Sequence, residues 1–219
     1  MCGRFVVTLP PDAMAQLFAA IPANDLPDVP NYNVCPTTQI HAVRAGGDGR
    51  QLVSMRWGFL PKWYKSPTDG PLLINARAET IAEKPAFRLA CRDNRCLIPA
   101  TGFYEWTKTA DGKRLPWYIY RADGAPVIFA GIWQVWDRAD QPITSCAIVT
   151  TTANRSMSEI HHRTPVILEP RDCALWLGEA GTGAAELMSA AGDDVLRFHR
   201  VGRAVNSNRA NGPGLIEAE

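Results

Sequence analysis

The chemistry this sequence offers begins at its second residue. Cys2 follows the initiator methionine, and a small residue there lets Met1 be trimmed, leaving a thiol and a free α-amine on adjacent carbons. With reference pKa values of roughly 8 for such an amine and about 8.5 for the thiol, each keeps an appreciable nucleophilic fraction at neutral pH. Together they capture an aldehyde. The amine condenses to an imine, and the sulfur then adds to the same carbon to close a five-membered thiazolidine, an intramolecular and fast step. The competing structural reading makes Cys2 a small, half-buried residue opening a strand over 2–8.

Two titratable side chains downstream suit proton transfer. In Gly102-Phe103-Tyr104-Glu105-Trp106-Thr107, alternation puts Tyr104 and Trp106 on one face and Phe103 and Glu105 on the other, so both faces read as buried. Desolvation would raise the Glu105 pKa toward neutrality; an ion pair with a nearby arginine is the structural alternative. Further on, Asn154 can cap a short helix carrying Met157, Ile160 and His161. At about 100° per residue His161 lies roughly 40° from Met157 and His162 roughly 140° away, so the first faces inward and the second does not. A hydrogen-bonded core histidine has the same signature. Asn75 reads locally as the cap of a helix running to Glu83.

The elements that must position these residues are mostly strands. Thr8 is placed to cap a helix entered through Pro10 and Pro11, with Met14, Leu17 and Phe18 facing the core, and Pro22, Pro27 and Pro30 follow it. Residues 31–38 read as a loop or extended run. Strands over 39–44 and 52–57 flank Gly46-Gly47-Asp48-Gly49 as a hairpin. Later strands are expected over 96–99, 102–107, 117–121, 127–135, 143–151, 166–168 and 196–201, with helices after Pro85, over 171–177 and over 184–190, and an irregular tail at 206–213. Pro165 is expected to end the Asn154 helix. The long segment 57–74 carries Trp57, Lys62, Trp63, Tyr64 and Lys65. Rings interleaved with lysines suit a single-strand channel, where bases stack and phosphates meet ammonium groups, although core aromatics with surface lysines give the same pattern.

Composition sets bounds. A chain of 219 residues that is 46% apolar suits one globular domain over 1–219. No apolar run approaches the roughly 20 residues of a membrane span, and no secretory leader is legible, which points to the cytoplasm and to six reduced cysteines. Cys91 and Cys96 have no matching second pair, so no metal site is expected. A net charge of +1 argues against a strongly basic nucleic-acid scaffold but permits one narrow basic groove. Arg88, Arg92 and Arg95 with Lys84 form the most basic local patch, which reads as a solvated face.

Met1-Cys2-Gly3-Arg4-Phe5, Arg56-Trp57-Gly58, Asn75-Ala76-Arg77-Ala78-Glu79-Thr80, Arg95-Cys96-Leu97-Ile98-Pro99-Ala100, Gly102-Phe103-Tyr104-Glu105-Trp106 and Ile160-His161-His162-Arg163-Thr164-Pro165-Val166 occur in one order. Together they resemble the SRAP family, the SOS-response-associated peptidases understood as abasic-site processing proteins, and the likeness runs from residue 1 to the Gly212-Pro213 tail. The resemblance implies an α+β fold of mixed β-sheets closed into a barrel-like core with peripheral short helices, and a positively charged groove for single-stranded DNA. It places the reagent on Cys2, an orienting amide on Asn75, an acid/base carboxylate on Glu105 and a histidine on His161. Arg4 and Arg77 are then the candidates for phosphate contacts, and Trp57 or Trp63 for stacking beside the lesion, with no cofactor and a monomer engaging one strand. His162 departs from the family's acidic or amide residue, Thr164 from methionine and Cys35 from a small apolar residue. Two rival readings are a thiol peptidase using Cys2 with His161 as base, and a non-covalent single-strand binding module.

Overall fold

The structure is a computed structural model that describes residues 2–138 and 140–219; Met1 and its removal lie outside the described residues. In chain order it forms β1 (Phe5–Val7), α1 (Pro11–Phe18), β2 (Ala20–Pro22), β3 (Asn31–Val34), β4 (Gln39–Gly46), β5 (Gly49–Trp57) and β6 (Asn75–Arg77). There follow α2 (Arg88–Asp93), β7 (Arg95–Ala100), β8 (Gly102–Lys108), β9 (Arg114–Arg121), β10 (Val127–Trp136) and β11 (Ile143–Thr152). The last elements are α3 (Arg155–Ser158), β12 (Arg163–Pro165), α4 (Cys173–Leu177) and β13 (Leu196–Arg200), with short 3-10 turns between them.

The strands make two sheets. One runs β13-β9-β8-β1-β3; the other runs β12-β11-β10-β7-β4-β5-β2, and β11 also pairs with β5 and β6. The β5–β11 contact is parallel, Ser145 opposite Arg56 and Cys146 opposite Trp57, and it returns the second sheet on itself as a partly closed ring. That is the α+β, barrel-like architecture expected from the sequence. β12 takes over along β11 where β10 leaves off: Val166 donates its N–H to the Val149 carbonyl and accepts from Ala130.

Aromatic packing joins the sheets. Phe5 of the first sheet meets Trp57 at 4.9 Å and Phe129 at 5.9 Å between ring centroids, and Phe103 meets Phe129 at 5.7 Å. Each such pair contributes roughly 0.5–1.5 kcal/mol beyond the area it buries. Within the first sheet β8 and β9 approach tightly, because a Cβ on Gly102 would lie 2.6 Å from the Ile119 carbonyl oxygen.

Several local expectations shift. The α1 N-cap is Pro10, while the Thr8 hydroxyl bonds Thr101 instead; Leu17 is 44% exposed, since Met14 and Phe18 alone of the expected trio turn inward. Residues 31–34 are a true strand paired with β1. Asn75 caps no helix: it opens β6, with Asn75 opposite Ile148 of β11, because strand pairing satisfies this backbone more fully than a single capping bond would. Asn154 does cap α3, accepting from the Met157 N–H at 2.9 Å. His161 lies past the end of that helix but keeps an N–H bond to the Met157 carbonyl. Pro165 sits in β12, so the strand expected at 166–168 is displaced to 163–165, where β11 offers its free edge.

Candidate active site

Glu105 is carried to the N-terminal segment by strand register. β8 pairs with β1 through Phe5 opposite Phe103, and the Tyr104 N–H donates to the Arg4 carbonyl, so residues 2–4 run beside 104–106. Glu105 is 2% exposed and Cys2 is fully buried. Burial raises the Glu105 carboxyl above its usual range, as alternation predicts. Burial, with the negative charge of Glu105 beside it, also pushes the Cys2 thiol well above the usual thiol range. Cys2 is thus fully buried where the structural reading had it half-buried, and that burial works against the appreciable thiolate fraction expected of a free aminothiol.

A cavity of about 490 Å³ opens here, lined by Gly3, Arg4, Glu105, Trp106, Lys108, Arg114, His161 and Asn206. It lies where β8 continues to Lys108 after β1 has ended, so residues from both faces of β8 reach it. His161 is half-buried, and its Nδ1 accepts the Arg163 backbone N–H at 3.0 Å. The Arg163 carbonyl also lies 3.3 Å from Nδ1, but a backbone N–H can only donate, so the shorter contact decides the tautomer and places the proton of the neutral ring on Nε2. Burial is the chief cause that holds the imidazole down at about 4, and the charge of the neighbouring His162 adds to it. The His162 ring is exposed and stacks on His161 at 4.3 Å.

Asn75 lines a different cleft, of about 540 Å³, with Trp63, Leu73, Arg77, Thr80, Lys84, Pro85, Ala86 and Phe87. Neither its amide nitrogen nor its amide oxygen has a hydrogen-bond partner among the described residues, although both are buried. Unsatisfied buried groups cost about 1–3 kcal/mol each, which sets Asn75 apart as a candidate ligand contact. Glu105 and His161 thus line one cavity with Cys2 buried beside Glu105, while Asn75 opens onto the second cleft.

An ion pair that the sequence reading passed over links the segments that carry Asn75 and His161. Arg163 donates to Glu79 in bidentate fashion, Nη1 to Oε1 at 2.7 Å and Nη2 to Oε2 at 2.9 Å, and also to the Thr150 carbonyl. The guanidinium beside Glu79 holds that carboxyl down at about 2. Glu79 ends the stretch that Asn75 begins, and Arg163 follows the histidines, so one fork ties the Asn75 segment to the His161 segment across β11. The signal was present, since both residues lie inside quoted motifs, but a charge in a motif does not reveal its partner.

The expected DNA contacts divide. Trp63 is 52% exposed at the Asn75 cleft beside Arg77. Trp57 is fully buried, with its indole N–H on the Ile74 carbonyl, and has no face to offer a base; its place in the seam between β5 and β11 corrects that assignment. Arg4 does reach the cavity, but its Nη1 is committed to the Asn33 side-chain oxygen at 2.7 Å and the Val205 carbonyl at 3.0 Å. Asn33 in turn donates to the carbonyls of Ser207 and Ala210, which fastens the tail to β3. Arg95, read as part of a solvated basic face, instead donates to the carbonyls of Cys91, Arg92 and Trp176. Among the described residues no cluster of three or more His, Cys, Asp or Glu is placed to hold a metal, and no helix is long and apolar enough to cross a membrane.

Comparison with known proteins follows this geometry. The chain is 35% identical to the Bacillus subtilis abasic site processing protein YoqW, with all of both chains covered, and 33% identical to the Escherichia coli abasic site processing protein YedK, with 99% of each covered. It is 29% identical to the Rattus norvegicus abasic site processing protein HMCES, covering 99% of this chain and 75% of that one. A Bacteroides thetaiotaomicron protein of known crystal structure shares the fold, with a TM-score of 0.85 over all of both chains at 24% identity. Because the family profile described as SOS response associated peptidase (SRAP) matches residues 1–208, the chain belongs to the SRAP family.

Proposed function

We propose that this chain processes abasic sites in single-stranded DNA by forming a covalent thiazolidine crosslink through Cys2. Its relatives' names support the abasic-site role. The observation that carries the chemistry is Glu105, buried beside Cys2 and sharing one cavity with His161.

An abasic sugar is a closed hemiacetal in equilibrium with an open aldehyde. His161, neutral and carrying its proton on Nε2, holds the ring oxygen by a hydrogen bond as the sugar opens, while Glu105 takes the hydroxyl proton from C1′ and water delivers a proton to the ring oxygen. With Met1 removed, the Cys2 amine attacks C1′; Glu105 returns its proton to the departing hydroxyl, and one water is lost as the imine forms. The thiol then adds to the imine carbon. Its proton passes by way of Glu105 to the nitrogen, so the ring closes with no further loss of atoms. Asn75 supplies the amide that holds the amine or a sugar oxygen, Arg77 meets a phosphate, and Trp63 stacks beside the lesion. The crosslink shields the site from strand cleavage. An imine that escapes the sulfur can lose its 3′ phosphate by β-elimination, giving slow lyase activity.

The thiol-peptidase reading needs a thiolate–imidazolium pair. Burial here pushes the thiol up and the imidazole down, which disfavours both charged partners. Incubation with an oligonucleotide carrying one abasic site, followed by a denaturing gel, tests the proposal. A shifted band dependent on Cys2 supports it; peptide cleavage without such a band, or a complex that dissolves in denaturant, contradicts it.

A further inference from the structure

The β8–β9 hairpin carries an electrostatic arrangement that the reaction above does not use. Lys108 and Arg114 are directly opposite each other across the two antiparallel strands, and both line the cavity that holds Glu105 and His161. Like charges placed opposite on a hairpin oppose its formation. At the tip of the same hairpin Lys113 is neutralised by Asp111 at 2.5 Å, whereas neither Lys108 nor Arg114 makes a salt bridge within 4 Å among the described residues, although the charge of Arg114 is felt by the Glu105 carboxyl. Both are exposed at the cavity mouth. The third cation of the cavity, Arg4, has its Nη1 on Asn33 and Val205.

We infer that Lys108 and Arg114 form a clamp for a backbone phosphate of the DNA strand flanking the abasic sugar. A phosphate between the two side chains converts their mutual repulsion into two attractions, and it fixes where the neighbouring C1′ sits relative to Glu105 and Cys2. Arg77, in the other cleft, then takes a different phosphate. This inference rests on the abasic-site reading for its ligand, but it does not depend on the covalent step.

The test uses the full chain and an oligonucleotide bearing a tetrahydrofuran abasic analogue, which has no aldehyde and cannot crosslink. Binding is followed by fluorescence anisotropy across a salt series for wild type, Lys108→Gln, Arg114→Gln, the double variant, and Arg171→Ala as a remote surface-charge control. Loss of one phosphate contact lowers the salt slope by about 0.7 for a single strand, so the double variant, which loses the clamp, is expected to fall by about 0.7, with Arg171→Ala unchanged. The DNA concentration that half-saturates crosslinking of a true abasic site should rise in the same variants. Because the substitutions remove a repulsion, the variants are expected to melt no earlier than wild type, which separates the effect from misfolding. A double variant with the wild-type slope, or one matched by Arg171→Ala, overturns the clamp. If the slopes change as expected while wild type never gives a denaturant-resistant adduct, the covalent reading fails and the clamp stands.

Discussion

At the scale of single residues, the account turns on how burial divides the work of a proton. A buried thiol with a raised pKa is a poor spontaneous nucleophile, so the carboxylate beside it is needed for the second bond to C1′ more than for the first. Glu105→Gln should therefore slow adduct formation by about 10²–10³-fold while leaving affinity for the non-reactive analogue nearly unchanged, which single-turnover gels and anisotropy would show. Affinity falling in step with rate would move Glu105 from chemistry to binding. Cys2→Ala, in contrast, keeps a terminal amine and should trap as an imine only with borohydride. Here the sequence was informative: alternation in a six-residue stretch was enough to pick out a buried carboxylate. It could not show the depth of the thiol, because that depends on residues 104–106 running alongside.

At the scale of elements, the Glu79–Arg163 fork holds the two motif segments in register across β11. Arg163 is 8% exposed, so Glu79→Gln leaves a buried guanidinium without its carboxylate. A loss of roughly 1.5–3 kcal/mol is expected, the range for hydrogen bonds to charged groups, because Glu79 itself is partly exposed to solvent. The sign with pH follows from the depressed carboxyl. The stabilisation is fully present above its unfolded pKa of about 4.3 and is lost as pH falls through about 2. Melting curves of wild type and Glu79→Gln should thus be separated by a constant gap above pH 5 that narrows below it, and a gap that widens in acid would contradict the assignment. Local sequence misread Asn75 here for a related reason. A capping residue and the first residue of a short strand look alike until the strand they pair with, β11, is known.

At the scale of the whole molecule, the second sheet becomes a ring only through the short β5–β11 contact, and Trp57 is the large side chain at that closure. Trp57→Ala should cost about 3–5 kcal/mol and lower Tm, whereas Trp63→Ala should leave Tm unchanged and weaken DNA binding. Equal effects on Tm would undo the distinction between a core indole and a surface one. The hairpin of β4 and β5 and the strands from β7 to β11 were legible from alternation and turn residues. The closure was not, since a parallel contact between strands some ninety residues apart leaves no local trace. The tail was also opaque: its order comes from the Asn33 side chain gripping carbonyls of Ser207 and Ala210, and nothing in the composition of the tail itself signals that.

The most direct test of the central claim is mass spectrometry of the protease-trimmed adduct between this chain and an abasic oligonucleotide, with and without prior treatment by borohydride and a thiol-alkylating reagent. The account predicts a peptide beginning at Cys2, joined to the sugar with loss of one water, that neither gains hydride nor accepts an alkyl group on its sulfur. An adduct that retains Met1, or whose Cys2 thiol is freely alkylated, would contradict it.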